Sequence, residues 1–211
     1  MATRRQVEAA LKAWGKVETF EDACDLMARC IDGKYVWTPS TFIPETDEEL
    51  AEFDDGFLNE DSRREAGFLA QINHGGILTI DSQAGEVTRG ISKATGKKYV
   101  IKQRAYIIGM MLRDDGRIDA LLKAMDHVDF RFTEGGNVKD PPTLTEQNGE
   151  PVTRGRTQTI KQMVDELARQ GVLSNRLLDD LRRNCQTVMF YDPKFGRPGL
   201  ASNIAMALRN A

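Results

Sequence analysis

The chain has 211 residues, 40% of them apolar and 29% charged, so it can bury a core without disulfide or metal staples and does not read as disordered. Its 29 basic and 32 acidic residues leave a net charge of −3, which gives no global pull toward nucleic acid or anionic lipid. No apolar run approaches the ~18 residues of a membrane span. The basic start Met1-Ala2-Thr3-Arg4-Arg5 is not followed by an apolar signal core, so a cytoplasmic location with no membrane partner is expected.

The first 60 residues read as a helical extension, followed by an α+β domain over residues 61–211. Thr3 with Gln6 predicts a capped helix carrying Val7, Ala10, Leu11 and Trp14. Thr19 with Asp22 opens a second through Phe20, Ala23, Leu26, Met27 and Cys30, ending near Asp32-Gly33. Thr46 with Glu49 caps a third through Leu50, Phe53 and Phe57, and Ser62 with Glu65 a fourth through Phe68, Leu69 and Ile72. Gly75-Gly76 then introduces a short β-branched strand, Ile77-Leu78-Thr79-Ile80.

Residues 84–97 suggest a loop or loose hairpin. Tyr99 to Met111 is β-prone, with Ala105, Ile108, Met111 and Leu112 at helical spacing, so a strand turning into a helix near Arg104 is expected. A helix through Ile118, Leu121, Leu122 and Met125 precedes an alternating strand, Val128 to Phe132. Residues 133–158 are rich in Gly, Pro and Thr and read as a mobile connection. Two helices follow, capped by Thr159 with Gln162 and by Ser174, then a strand from Thr187 to Tyr191 and a closing helix from Leu200 to Leu208. This order predicts an α+β fold, a mixed β-sheet core with flanking helices.

Several kinds of chemistry lack a signature. Cys24, Cys30 and Cys185 are odd in number and do not match zinc-ligand spacing, and His74 and His127 lie far from the Cys24–Cys30 pair in sequence, so no metal is expected. Cys24 reads as a small buried residue, and His74 as a dipole partner at a helix C-terminus. Gly90 to Lys98 resembles a phosphate loop but has one residue too many and a lysine where Ser or Thr should bind magnesium. No Gly-x-Ser-x-Gly elbow exists. Charge is segregated: Glu45–Glu65 holds ten acidic and two basic residues, Val87–Arg113 seven basic and no acidic ones. Two solvated faces explain this, and a phosphate or nucleic-acid site with Tyr99 and Tyr106 stacking is the sharper alternative.

One constellation stands out. Asp61-Ser62 starts a helix, and after Asn73-His74-Gly75-Gly76 the chain reads Ile77-Leu78-Thr79-Ile80-Asp81-Ser82-Gln83. An acid and a hydroxyl at a helix N-terminus, with Thr79 and Ser82 near a strand end, can present polar groups to a common pocket. This segment resembles the C-terminal regulatory domain of eukaryotic methylenetetrahydrofolate reductase, where Glu-Thr starts the helix and Ile-Leu-Thr-Ile-Asn-Ser-Gln forms the strand. Tyr99-Val100-Ile101-Lys102-Gln103-Arg104-Ala105-Tyr106 is similar to a second family segment with one residue inserted. The resemblance covers residues ~60–132 well and 185–210, with Asp192 and Phe195, loosely.

The resemblance implies a module that binds S-adenosylmethionine, S-adenosylhomocysteine or a related nucleotide-like metabolite, as a sensor or sequestering protein. It implies Asp61, Ser62, Thr79 and Ser82 as ligand contacts, with Thr143, Thr145, Thr157 and Thr159 open as further ones. Asp for Glu and Ser for Thr shorten or trim the first pair, and Ala84 replaces a proline. The chain has no room for a (β/α)₈ barrel of ~250 residues beside this domain. Reductase activity, flavin and folate are therefore not expected, and the adenosyl compound would be a ligand rather than a catalytic cofactor. A protein partner or homodimer is compatible with this reading. The alternatives are an enzyme cleaving an adenosyl or nucleotide ligand in the same pocket, with no catalytic residue legible, or an accessory using the basic 87–113 stretch for protein or nucleic acid. Net acidity argues against nucleic acid.

Overall fold

Side-chain caps start most of the helices. Thr3 accepts from the Gln6 N–H while Gln6 reaches back to the Thr3 N–H, ahead of α1 (Arg4–Trp14). Thr19 accepts from the Asp22 N–H at the start of α2 (Phe20–Ile31), and Thr46 and Glu49 bond reciprocally before α3 (Asp47–Glu52). Thr159 with Gln162 repeats the box before α5 (Ile160–Ala168), and Ser174 caps α6 (Asn175–Asn184). α4 (Ala66–His74) differs, because Glu65 at its N-cap makes no side-chain cap bond. α7 spans Leu200–Asn210.

The structure is a computed structural model that describes residues 3–39, 41, 43–52, 63–117, 121, 123, 129–133, 140–155 and 158–210. Phe53, Phe57, Ser62, Ile118, Leu122, Met125, His127 and Val128, named in the sequence reading, lie outside these residues.

Among the described residues, eight strands form two four-stranded sheets. The first has the order β1 (Leu78–Gln83), β4 (Tyr106–Leu112), β8 (Cys185–Tyr191), β5 (Asp129–Thr133). The second has the order β2 (Glu86–Ile91), β3 (Lys98–Gln103), β6 (Thr143–Gln147), β7 (Glu150–Arg154). Every pairing is antiparallel, so the α+β class holds but the expected mixed sheet is two antiparallel ones.

Of the loop or loose hairpin expected over residues 84–97, the hairpin is observed: β2 pairs with β3 through a turn in which the Ser92 N–H donates to the Lys97 carbonyl. Two local expectations are corrected. The chain does not become helical at Arg104: β3 ends at Gln103, Arg104-Ala105 turn a corner, and β4 follows. Ile108 and Met111 fit a helical period, but β4 lies between β1 and β8, and ladder bonds on both sides outweigh a weak propensity. The supposed mobile connection contains the β6–β7 hairpin, with Asn148 (φ 54°) and Gly149 (φ 92°) forming its turn.

One core unites the N-terminal helices with the first sheet. Trp14, Phe20 and Trp37 are fully buried in the same cluster as Leu69, Ile72, Met110, Leu177 and Phe190. Burying a side chain such as Phe20 or Leu177 stabilises by about 1.5–3 kcal/mol. α4 packs between α2 and α7, and α5 against α6. Cys24, Cys30 and Cys185 are buried and unpaired by disulfides, as small core residues. Burial pushes the thiols of Cys30 and Cys185 up to about 12, so all three stay protonated at neutral pH.

β8 is buried along its whole length. The register shows why. Val188 lies opposite Gly109, on the face that also carries Thr79, which is bonded to α4. Thr187 lies opposite Met110, on the other face, and its hydroxyl donates to the Gln158 carbonyl just before α5. Both faces of the first sheet are therefore covered. Leu144 of β6 extends this cover over Tyr106, Ile108, Met189 and Tyr191, joining the second sheet to the first.

Gly109 is required by close approach: a Cβ there would stand 2.5 Å from the Leu78 carbonyl oxygen and 3.3 Å from Thr79 Cα. Gly109→Ala is expected to destabilise the protein by about 2–3 kcal/mol, measured by urea unfolding. An unchanged midpoint would show that the β1–β4 contact is looser than described.

Candidate functional site

The α4–β1 unit that carries the distinctive motif is held by one buried amide. α4 ends in a glycine turn, with Gly75 N–H donating to Gln71 O, Gly76 N–H to Asn73 O and Ile77 N–H to Ile72 O. Gly76 takes φ +85°, and the Arg117 guanidinium lies where a side chain would otherwise project. Asn73, fully buried, then ties helix to strand: its Nδ2 donates to Thr79 Oγ1 and to Leu69 O (2.8 Å each), and its Oδ1 accepts from the Thr79 N–H (3.0 Å). A buried amide is tolerated because these bonds replace water.

β1 is not regular. Its register against β4 shifts between Thr79 and Asp81, so Thr79 lies opposite Gly109 and Ser82 opposite Ile107. Residues three apart on an ordinary strand point to opposite faces. The bulge cancels that, and Thr79 and Ser82 share the α4-bonded face, opposite residues only two apart on β4. Asp81 turns to the opposite face, where its Oδ2 accepts from Tyr106 Oη (3.1 Å). Burial, the Asp81 charge and this hydrogen bond hold the Tyr106 phenol above its usual range.

Of the four residues proposed as ligand contacts, Thr79 and Ser82 are therefore brought to one face. Asp61 and Ser62 lie outside the described residues. The open threonines divide by environment. Thr145 accepts from the Thr153 hydroxyl and donates to Gln103 Oε1 (2.6 Å each), and Thr159 is a helix cap. Thr143 lies at the start of β6, and Thr157 is outside the described residues.

Other polar groups brace the unit. Asp115, whose side chain is 6% exposed, accepts two hydrogen bonds from the Arg117 side chain and one from its backbone N–H, while Arg117 Nη1 donates to the Gly75 carbonyl. Burial tends to raise the Asp115 carboxyl, but the hydrogen bonds and charge of Arg117 outweigh it and hold it below its usual range. His74 Nδ1 lies 3.0 Å from Asp25 Oδ1, joining the C-terminus of α4 to α2. Beyond the strand end, the buried Asp192 accepts from Arg197 and from the Lys194 N–H, and Arg104 stacks over Phe195 at 4.2 Å. The Arg197 carbonyl lies where a Cβ on Gly85 would stand, fixing the exit of β1.

The sequence reading missed the role of Asn73, although a signal was present. Asn73 falls beside Leu69 and Ile72 on the apolar face of α4, where an unbonded amide would be costly. The Arg117–Asp115 brace had no such signal, because its arginine reaches α4 from 42 positions away.

Two consequences are measurable. Asn73→Leu leaves the Thr79 N–H without its acceptor and is expected to cost about 2–3 kcal/mol, whereas Thr79→Val, which keeps that bond, should cost about 1 kcal/mol. Equal urea midpoints for the two variants would contradict the asymmetry. Because the folded Asp115 carboxyl titrates below its unfolded value, its contribution is present above pH ~3.9 and is lost as pH falls further. Arg117→Met should lower stability at pH 7 by about 1.5–3 kcal/mol and flatten that part of the acid limb, measured by unfolding at several pH values.

Among the described residues, no helix is long and apolar enough to cross a membrane, and no three His, Cys, Asp or Glu side chains come together as a metal site. No curated protein matches the chain in sequence. A family model described as a domain of unknown function, DUF6919, matches residues 9–211, and the chain belongs to that family.

Proposed function

We propose that the protein is a binding module for an adenosyl or related nucleotide-like metabolite, held between the start of α4 and the end of β1. S-adenosylmethionine and S-adenosylhomocysteine are the first candidates, through the resemblance to the regulatory domain of methylenetetrahydrofolate reductase. The observation that carries this reading is the β1 bulge, which aligns Thr79 and Ser82 on the face bonded to α4. In a regular strand only one of them could serve a ligand on that side.

The roles follow from chemistry. Asn73 fixes the Thr79 oxygen by donating to it, which leaves the Thr79 hydroxyl proton to be donated elsewhere. Ser82 offers a second hydroxyl nearer the strand end. Asp61 and Ser62, preceding α4 in sequence, would supply a carboxylate for a ribose diol or ligand cation and a hydroxyl for a carboxylate. The Asp192–Arg197 pair holds the neighbouring loop against Gly85. Such a module would act as a sensor or a sequestering protein.

At ~100 times its dissociation constant a ligand stabilises the folded state by about 2.7 kcal/mol, which is roughly 5–10 °C in melting temperature for a chain of this size. A thermal shift of that size with S-adenosylmethionine or S-adenosylhomocysteine, reduced in Ser82→Ala and Asp61→Asn, is the expected outcome. A flat response to both compounds and to common nucleotides would sink the reading.

A further inference from the structure

The second sheet has two free edges among the described strands, β2 and β7, and they are defended differently. β7 carries Pro151, which cannot donate to an added strand. β2 (Glu-Val-Thr-Arg-Gly-Ile) has no proline, and Val87 and Ile91 are exposed on it, Ile91 at 63%.

The register assembles a patterned surface beside that edge. Val87 pairs with Lys102, Arg89 with Val100 and Ile91 with Lys98, so one face of the β2–β3 hairpin alternates cations with aliphatic side chains. Arg89, Lys98 and Lys102 are exposed, and exposed Lys93 and Lys97 extend the charge into the turn. Glu146 of β6, opposite Lys102, is the acid at the inner margin of this face. A loop packs against the base of β2, where a Cβ on Gly196 would touch Val87 Cγ2.

We infer that the outer edge of β2, with this basic–aliphatic face, receives an extended acidic segment of a partner polypeptide as an added strand. Backbone groups at the edge supply ladder bonds, while every second side chain of the incoming strand, apolar and acidic in turn, lies beside Val87, Arg89 and Ile91 on the same face. The pattern favours polypeptide over nucleic acid. Single-stranded nucleic acid needs aromatic platforms, and the hairpin's Tyr99 lies on the opposite face, its ring packed where a Cβ on Gly90 would stand. This surface is separate from the α4–β1 site, so the two readings stand or fall independently.

The test uses the full chain and a fluorescein-labelled decapeptide in which valine and glutamate take turns at every second position with threonine between them, so that both lie on one face of the strand, followed by anisotropy at low and physiological salt. Expected results are saturable binding weakened by salt, protection of the residue 86–91 amides from hydrogen exchange, and loss of binding when prolines replace alternate peptide residues. The triple variant R89E/K98E/K102E should keep its melting temperature and lose affinity by about tenfold or more, and Ser82→Ala should bind as the parent does. Should the triple variant fold poorly, Ile91→Asp, which sets a negative charge on the same face against the acidic peptide, should weaken binding instead. The inference is overturned if no peptide binds at low salt, if the charge-reversed protein binds equally well, or if an oligo-dT 20-mer binds the hairpin while the peptide does not.

Discussion

Everything at the centre of this molecule depends on the buried Asn73 amide. It closes the turn between α4 and β1 by satisfying the Thr79 N–H and hydroxyl oxygen while anchoring itself to the Leu69 carbonyl. That bond set fixes where β1 begins its ladder with β4, and the bulge that follows decides which β1 side chains face α4. Arg117 reinforces the same turn from outside through the Gly75 carbonyl, with Asp115 holding its guanidinium in place. A low-dielectric interior strengthens such bonds and makes losing one expensive.

Legibility in the sequence followed the range of the interaction. Caps act over three residues, and those at Thr3, Thr19, Thr46, Thr159 and Ser174 were all readable. The strand at Tyr106–Leu112 was not, because Ile108 and Met111 suit two periods and only pairing with β1 and β8 chooses between them. The β6–β7 hairpin was missed for a different reason. Asn148-Gly149 is a strong local turn signal, but the composition of the surrounding Gly, Pro and Thr points to a loop and masks it. At the candidate site, Thr79 and Ser82 were picked out by resemblance. The bulge that puts them on one face leaves no mark in the sequence, since it arises from the register against Gly109 and Ile107.

The two surfaces proposed to bind differ in how they are built. The α4–β1 face is rigid, backed by the main core and by buried hydrogen bonds, and suits a small ligand whose orientation must be fixed. The β2–β3 hairpin projects with little cover, its charge distributed along an edge, and suits an extended partner met through many weak contacts. Membership of the DUF6919 family spans both surfaces and the N-terminal helices. This agrees with the shared core, in which Trp14 and Phe20 pack with residues of β4 and β8.

The position of β8 carries a consequence for synthesis. Cys185–Tyr191 is the last of the described strands to be made, yet it lies between β4 and β5 in the first sheet. A ribosome adding ~5–20 residues per second needs about 4–16 s to pass from the end of β4 to the end of β8. Throughout that interval the apolar edge of β4, with Ile107, Met110 and Met111, has no native neighbour on that side. The nascent chain therefore waits with an open template for mispairing, and closure of the sheet is the late, long-range step of folding. A chaperone that shields this edge would act in that interval.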